Sequence, residues 1–321
     1  MSPAISIPGY SLLDSIGRGG MGEVFAARHE ASGRSVAIKV LASDRSGRSD
    51  RARFEREGRA MRSVQHPNLC EAIDAGTLED GTLFLVMERL DGEDLGAALS
   101  QGARLPVERA VAIVREAALG LRAVHAAGLL HRDVKPSNLF LHGPDKTVKV
   151  LDFGLATFAF GDGGRITKTG EIVGTPAYMA PEQARGAALD GRVDIYGLGA
   201  VLYHLLGGAA PYVGESALPV LLQMLGGDPE PIGQRRPDLS AAVCELVTRS
   251  LARDPAARVP TLDAFIEAID ALDRPQAGAD DTWIGQLVAP TSLHDEQRLV
   301  TIVVASGVTD RDGVVRVQRQ Q

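Results

Sequence analysis

The spacing of apolar residues along the chain changes near residue 91 from a strand-like to a helix-like pattern. Before that point, three short apolar runs are typical of β-strands: Glu23 to His29, Ser35 to Leu41 and Thr82 to Met87. The turn signal Ala31-Ser32-Gly33 joins the first two runs into a predicted hairpin. The charged segment from Asp50 to Val64 is compatible with a helix. Together these patterns predict a small β-rich unit with one helix.

The chain after Asp91-Gly92 follows a helical pattern. From Leu105 to Ala127 the apolar residues recur at helical spacing, with Pro106 in the first turn and Gly128 at the C-terminal end. Val193 to Leu206 is apolar nearly all round, which marks a buried helix. Two further helices are predicted, over Ser240 to Leu251 and Thr261 to Leu272. The predicted fold class is therefore α+β, with a small β-rich lobe and a larger α-helical lobe.

The end of the chain differs in composition from both lobes. Asp273 to about Thr291 is rich in Pro, Gly and Asp and is interpreted as a linker. Arg298 to Ala305 is strand-like. The predicted organisation is a domain over residues 10–272, a linker over 273–293 and a tail over 294–321.

Composition and charge narrow the classes of function. Of the 321 residues, 45% are hydrophobic, which is enough for a substantial core. The net charge of −7 and the absence of a basic run with interleaved aromatic residues argue against nucleic acid as a partner. No apolar stretch reaches the roughly 20 residues of a membrane helix, so no membrane segment is expected in this chain.

The cysteines and the N-terminal residues bear on localisation. Cys70 and Cys244 lie far apart, so they indicate neither a disulfide framework nor a metal site. The N-terminal residues lack the basic-then-apolar order of a signal peptide. We therefore expect a reducing compartment and a cytoplasmic protein.

Three glycines near the start, Gly17, Gly19 and Gly22, form a G-x-G-x-x-G pattern, which is weak evidence by itself. A dinucleotide-binding site would need a helix after the glycines, whereas the residues from Glu23 to Arg28 have a strand pattern. The glycines are therefore predicted at a hairpin tip. This tip is either a site where backbone approaches a ligand or a turn without one.

Several motifs further along the chain form an ordered set with these glycines. Lys39 lies inside the apolar run "VAIKV", where a lysine is costly to bury without a partner such as phosphate. "HRDVKPSN" (131–138), "DFG" (152–154) and "APE" (180–182) follow in that order. The chain thus resembles the eukaryotic-type (Hanks-type) serine/threonine protein kinase family, most closely its bacterial branch. The resemblance covers roughly residues 10–272 and implies an N-lobe over 10–90 and a C-lobe over 91–272.

The resemblance implies ATP and Mg²⁺ as cofactors and assigns residues to the phosphates. Gly17, Gly19 and Gly22 match the loop that covers the ATP phosphates. Lys39 matches the lysine that contacts the α- and β-phosphates. Its family partner is a glutamate on the following helix, for which the spacing favours Glu57 over Glu55, which we expect to be exposed.

The resemblance also assigns the catalytic and metal-binding residues. Asp133 matches the aspartate that orients the substrate hydroxyl and accepts its proton. Lys135 matches the residue that neutralises charge on the transferred phosphoryl group. Asn138 and Asp152 match the two magnesium ligands, in keeping with the preference of Mg²⁺ for oxygen. Lys135 and the "GTP" of residues 174–176 favour serine or threonine hydroxyls of proteins as the acceptor.

The adenine pocket is assigned in the same way. Met87 resembles the gatekeeper, and the Glu88 carbonyl and the Leu90 amide are expected to bond the adenine edge. Apolar residues expected to sandwich the ring are Ile16, Val24, Ala37, Phe140 and Leu151. Without the resemblance, any of these apolar residues is equally well explained as ordinary core.

Other motif residues are expected to be structural. His131 is expected to pack and hydrogen-bond inside the C-lobe and not to act as a general base. Asp194 is expected to tie the buried helix to the backbone of the loop over residues 131–138, called the catalytic loop below. Glu182 is expected to pair with Arg258.

The segment between "DFG" and "APE" is expected to be regulatory. Thr167 and Thr169 are candidate sites of autophosphorylation, because a phosphothreonine adds negative charge that Arg132 could pair with. Self-association for phosphorylation in trans is a possible consequence. The alternative is that both threonines stay unmodified.

Besides an active kinase, two other functions of the whole chain stay open. One is a nucleotide-binding scaffold without catalysis, which the presence of Lys39, Asp133 and Asp152 disfavours. The other is a regulatory module for an attached output domain. The tail segment Gln297 to Asp310 resembles the first strand of class III nucleotide cyclase domains, with Ser306 where those usually carry a metal-binding Asp, and an ordinary tail strand explains it equally well.

Overall fold

The N-lobe is built on a five-stranded antiparallel sheet. The computed structural model describes residues 5–19, 22–41, 54, 58–99, 102–153 and 176–272. The strand order in the sheet is β1-β2-β3-β5-β4. The strands are β1 (Tyr10–Gly19), β2 (Gly22–His29), β3 (Ser35–Leu41), β4 (Ala72–Thr77) and β5 (Leu83–Glu88).

The two faces of this sheet bury different residues, because side chains alternate along a strand. Val36, Ile38 and Val40 of β3 join an outer cluster with Ile7 and Phe25. The intervening residues of β3 point toward the main core, which contains the apolar residues Ala37, Leu41, Leu85 and Met87. Lys39 shares this second face with Ala37, so the strand register aims its ammonium toward the C-lobe.

The C-lobe is mainly helical and begins with a small sheet beside the first lobe. That sheet contains β6 (Gly92–Asp94), β7 (Leu139–His142) and β8 (Thr147–Val150), in the order β6-β7-β8. The helices are α1 (Leu95–Ala98), α2 (Val107–Ala126), α3 (Pro181–Ala184), α4 (Arg192–Gly207), α5 (Ala217–Gly226), α6 (Ile232–Arg235), α7 (Ala241–Ser250) and α8 (Leu262–Asp270). Single 3₁₀ turns cover Pro136–Asn138, Pro176–Tyr178 and Pro255–Ala257.

Helix α4 is the centre of the C-lobe. Nearly every residue from Val193 to Gly207 is buried, as the all-round apolar pattern predicts. It packs against α2 and α7. Gly208 caps the C-terminal end of helix α4, and its φ of 80° is the left-handed conformation that favours glycine at this position.

The predicted α+β class and two-lobe arrangement are confirmed. Helices α2, α4, α7 and α8 lie within two residues of their predicted bounds, and β2, β3 and β5 within one. Phe54 and residues 58–63 are helical, in agreement with the predicted helix, which ends one residue before the predicted Val64. Residues 50–53 and 55–57 lie outside the described residues. The linker (273–293) and the tail (294–321) also lie outside the described residues.

Some elements were not predicted from the sequence. Strands β6 to β8 have only three or four residues each, too few for a period-two pattern to stand out. Helix α5 carries Pro219 in its first turn and has Gln223 as its single polar side chain, so no polar face marks it in the sequence as an amphipathic helix. Within the described ranges, no helix is both long enough and apolar enough to cross a membrane.

Candidate active site

Two charged residues from different lobes meet at the cleft. Lys39 on β3 donates from Nζ to Asp152 Oδ2 at 2.6 Å, and Lys39 is buried. Asp152 follows the end of β8 by two residues and has a φ of 57°, a left-handed conformation unusual for a non-glycine residue. Such strained backbone clusters at functional sites, where the surrounding structure holds it in place.

The catalytic loop brings three of the predicted residues together. Lys135 Nζ lies 3.0 Å from Asp133 Oδ2. Asn138 donates from Nδ2 to the Asp133 backbone carbonyl at 2.7 Å and to its Oδ2 at 3.1 Å. The 3₁₀ turn Pro136–Asn138 folds the chain back so that these side chains converge. The Asp133 carboxylate is therefore held in one orientation beside a cation.

Helix α4 fixes this loop through Asp194, as expected from the sequence. The fully buried Asp194 carboxylate accepts hydrogen bonds from the backbone amides of His131, at 2.9 Å, and Arg132, at 2.7 Å. His125 Nε2 lies 2.7 Å from the same carboxylate. Burial raises the pKa of Asp194, but hydrogen bonding and the charge of His125 outweigh it, so the pKa lies below its usual value. The φ of 65° at Arg132 shows how tightly the loop is held.

His131 is packed and hydrogen-bonded inside the C-lobe, as expected. It is completely buried, its Nε2 lies 2.8 Å from the Leu151 carbonyl, and its Nδ1 accepts from the Asp133 amide at 3.2 Å. Both ring nitrogens are thus used by the backbone. The ring joins the catalytic loop to the residue that precedes Asp152.

The sequence motifs alone did not assign Gln183 and His125 to this framework. Gln183 donates from Nε2 to the Arg132 carbonyl at 2.8 Å and accepts from the Ala180 amide at 3.0 Å. A polar residue three positions after a helix start is a capping signal. That signal could have marked Gln183, but not its second bond to the catalytic loop.

The expected Glu182–Arg258 ion pair is present. Arg258 Nη1 and Nη2 lie 2.5 and 2.7 Å from the two carboxylate oxygens of Glu182. Arg258 also donates to the carbonyls of Ala252 and Arg192, and its guanidinium lies 4.9 Å from the centre of the Tyr196 ring. The pair is buried and joins α3 to the end of the C-lobe.

The candidate metal ligands are adjacent. The Leu151 amide donates to the Asn138 carbonyl at 2.9 Å, which brings Asn138 beside Asp152. Because Asn138 donates to Asp133 from its amide nitrogen, its amide oxygen is the atom that can bind a cation. An amide oxygen beside a carboxylate fits Mg²⁺, which keeps some of its ligands as water or substrate phosphate.

The residues assigned to adenine occupy both lobes. Ala37 lies opposite Met87 in the β3–β5 ladder, and both are buried. Val24, Leu90 and Leu151 are partly buried and pack against the same main core. The other two assigned apolar residues are less enclosed: Ile16 is 44% exposed, and Phe140 is half-buried on β7.

The three glycines lie at the paired ends of β1 and β2, in agreement with the strand pattern predicted after Gly22. Gly17 lies opposite Val24 and Gly19 opposite Gly22 in the β1–β2 ladder. At Gly22, φ is 141° and a Cβ atom would lie 2.0 Å from the Val40 carbonyl oxygen. A Cβ at Gly17 or Gly19 meets no close contact among the described residues. Of these three glycines, the described backbone requires glycine at position 22, and the role of Gly17 and Gly19 at a phosphate stays a prediction.

This difference predicts that alanine at position 22 affects stability, whereas alanine at position 19 affects nucleotide binding. Gly22→Ala is expected to lower the free energy of unfolding by about 1–3 kcal/mol, because it combines a strained φ with a backbone clash. Gly19→Ala is expected to leave stability unchanged and to weaken nucleotide binding. Thermal unfolding of both variants, with and without ATP, measures the two effects. Equal unfolding temperatures for the two apo variants would contradict this assignment.

Three predicted residues lie outside the described residues. These are Glu57, the expected partner of Lys39, and the candidate phosphorylation sites Thr167 and Thr169; Glu55, expected to be exposed, lies outside them as well. Their roles stay predictions.

Comparison with known proteins agrees with this geometry. The family model of the protein kinase domain matches residues 10–268. The serine/threonine-protein kinase pkn3 of Myxococcus xanthus is 41% identical over 280 residues, which cover 84% of this chain and 51% of that protein. The serine/threonine-protein kinase PknB of Mycobacterium leprae is 39% identical over 256 residues, or 78% of this chain and 41% of PknB. The chain thus spans about half the length of the curated relatives it matches.

A solved structure gives the same result for the fold. The crystal structure of the PknI kinase domain of Mycobacterium tuberculosis aligns with a TM-score of 0.68 and 32% identity, covering 84% of this chain and 98% of that domain. The ordered motifs, the two-lobe fold and these matches together show that the chain belongs to the protein kinase family, in its bacterial serine/threonine (Hanks-type) branch.

Proposed function

We propose that this chain is an active kinase that transfers the γ-phosphate of ATP to serine or threonine hydroxyls of proteins. The observation that carries the proposal is that Lys135 Nζ and Asn138 Nδ2 both lie within 3.1 Å of Asp133 Oδ2. A scaffold that only binds nucleotide has no need for a carboxylate held in this way beside a lysine. The chemistry of this family depends on positioning and charge stabilisation, which such an arrangement provides.

The residues have distinct tasks in the proposed transfer. The Asp133 carboxylate accepts the proton of the substrate hydroxyl while the hydroxyl oxygen bonds to the γ-phosphorus. The bond from the γ-phosphorus to the β,γ-bridging oxygen breaks, and ADP leaves with that oxygen. Lys135 stabilises the negative charge of the transferred group. Mg²⁺ held by Asn138 and Asp152 would neutralise phosphate charge.

The nucleotide is proposed to lie between the lobes. The amides of the hairpin tip at Gly17, Gly19 and Gly22 cover the phosphates, and Lys39 contacts the α- and β-phosphates. The Glu88 carbonyl and the Leu90 amide bond the adenine edge. The apolar walls come from Ile16, Val24, Ala37, Met87, Phe140 and Leu151. The position of Lys39 beside Asp152 supports this placement, because it puts the phosphate-binding cation next to a magnesium ligand.

Regulation by autophosphorylation is proposed for Thr167 and Thr169. A phosphothreonine carries a charge of about −1.5 to −2, which the Arg132 guanidinium can pair with. The backbone of Arg132 has a φ of 65°, its amide donates to Asp194 and its carbonyl accepts from Gln183. A contact between a phosphothreonine and the Arg132 side chain would therefore act on a fixed backbone next to Asp133. Phosphorylation in trans would require transient self-association. The cytoplasm is the proposed location, in keeping with the two unpaired cysteines.

Intact-mass measurement after incubation with ATP and Mg²⁺ tests the function and the regulation together. We expect stepwise additions of about 80 Da, one per phosphate. Peptide mapping is expected to place them at Thr167 or Thr169, and Thr167→Ala/Thr169→Ala is the matched control. If the protein bound ATP but neither it nor added protein substrates gained mass, the result would support the scaffold instead.

A further inference from the structure

An ion pair lies next to the segment after β5 that connects the two lobes, and it takes no part in the phosphoryl transfer described above. Lys149 on β8 of the C-lobe donates from Nζ to Glu88 Oε1 at 2.7 Å. Glu88 is the last residue of β5, where the N-lobe sheet passes into the connection. The two side chains are largely buried, with 14% and 19% of their surfaces exposed.

The same two side chains join a third segment of the chain. Lys149 Nζ also donates to the Leu69 carbonyl, at 3.2 Å. Glu88 Oε1 also accepts from the Glu71 backbone amide, at 2.9 Å, and the Glu88 amide donates to the Glu71 carbonyl at 3.0 Å. One carboxylate oxygen thus holds the C-lobe strand, the residues before β4 and the end of β5.

Backbone contacts complete the attachment of residues 68–71 to β8. Cys70 donates to the Val150 carbonyl, and Val150 donates to the Asn68 carbonyl, each at 2.9 Å. The Cys70 Sγ lies 3.8 Å from the Glu88 carbonyl oxygen. Burial raises the pKa of the Cys70 thiol, so it stays a neutral weak donor to that carbonyl. The backbone amide of Glu88 thus bonds to Glu71 and its backbone carbonyl contacts Cys70.

This network lies directly behind residues assigned to the nucleotide. Lys149 is opposite Phe140 in the β7–β8 ladder and precedes Asp152 by three residues. The Glu88 carbonyl and the Leu90 amide are the groups proposed to bond adenine. A shift of the Glu88 peptide would thus move an adenine acceptor without changing any catalytic group.

We infer that Lys149 and Glu88 are a positioning pair that fixes the Glu88 peptide for adenine and so sets the affinity for ATP, without touching the nucleotide. The inference rests on the proposed nucleotide site. A lysine suits this place because one ammonium donates to a carboxylate and a carbonyl at once. A neutral side chain would leave the buried Glu88 carboxylate without its cation.

Lys149→Met keeps the length of the side chain and removes its donors. We expect the Kd for ATP to rise about three- to tenfold, as for the loss of one or two partly buried hydrogen bonds. The rate at saturating ATP is expected to stay within about twofold, because no group at the transferred phosphate changes. Lys149→Arg, which retains a charged donor, is expected to recover part of the affinity. Lys146→Met is the matched control, since Lys146 lies beside the same strand but pairs with the more exposed Glu93.

An ATP analogue separates positioning from general loss of structure. Purine riboside triphosphate lacks the 6-amino group that the Glu88 carbonyl is proposed to accept. The ratio of the Kd for this analogue to the Kd for ATP is therefore expected to be smaller in Lys149→Met than in the parent protein. An equal loss of affinity for both nucleotides, an unchanged Kd for ATP or a lowered one would each overturn the inference. If the parent itself bound no ATP, the proposed nucleotide site would fail first and the inference with it.

Discussion

Asp133→Asn is expected to lower the rate of phosphoryl transfer by about 10²–10⁴-fold, the usual contribution of a positioned general base. The substitution removes the proton acceptor and keeps the shape of the side chain. The Asn138 bond to the backbone carbonyl of residue 133, 2.7 Å long, does not depend on the carboxylate. The fold of the loop is therefore expected to persist. Transfer of ³²P from ATP to a mixed protein substrate measures the effect.

Two measurements make this result specific to catalysis. The variant should unfold at the temperature of the parent and bind ATP with Mg²⁺ with a similar Kd, since Asp133 is not assigned to the nucleotide or the metal. Ser137→Ala, at an exposed residue in the same 3₁₀ turn, is the matched control and should keep activity. If Asp133→Asn retained the parent rate, the assignment of Asp133 as the base would be wrong.

Arg258→Met is expected to lower the free energy of unfolding by about 3–5 kcal/mol, because it leaves the buried Glu182 carboxylate without its cation. The guanidinium also satisfies the carbonyls of Ala252 and Arg192, so several buried acceptors lose their donor. The loss is large beside the stability of an ordinary domain, about 5–15 kcal/mol. Urea unfolding followed by far-ultraviolet circular dichroism measures this loss of stability.

An exposed ion pair of the same lobe gives the comparison. Arg122 lies 3.1 Å from Asp263, and about half or more of each side chain is exposed. Arg122→Met is expected to cost less than about 1 kcal/mol, as is usual for surface pairs. The double variant Glu182→Leu/Arg258→Met removes both buried charges and should recover part of the loss. If the Arg258→Met variant were as stable as Arg122→Met, the buried pair would not be a main support of the C-lobe.

The ordered motifs allowed most of the site to be predicted from the sequence. Asp133, Lys135 and Asn138 lie within six residues of one another, so a single local turn is enough to bring them together. Residues whose importance comes from distant partners carried less signal. Nothing in the short strand "TVKV" marks Lys149 as a partner of Glu88, because their contact depends on how two separate sheets are placed.

The sequence by itself determined the class of fold, the family and the identity of the chemical groups. Those properties follow from apolar periodicity and from motifs whose order and spacing are local to the chain. Only the tertiary structure decided that Lys39 lies 2.6 Å from Asp152, that Gln183 donates to the Arg132 carbonyl of the catalytic loop and that the described backbone requires glycine at position 22 but not at 17 or 19. Lys39 and Asp152 are 113 residues apart, and their distance is set by the packing of one lobe against the other. Packing of that kind depends on many long-range contacts at once, which no short sequence pattern records.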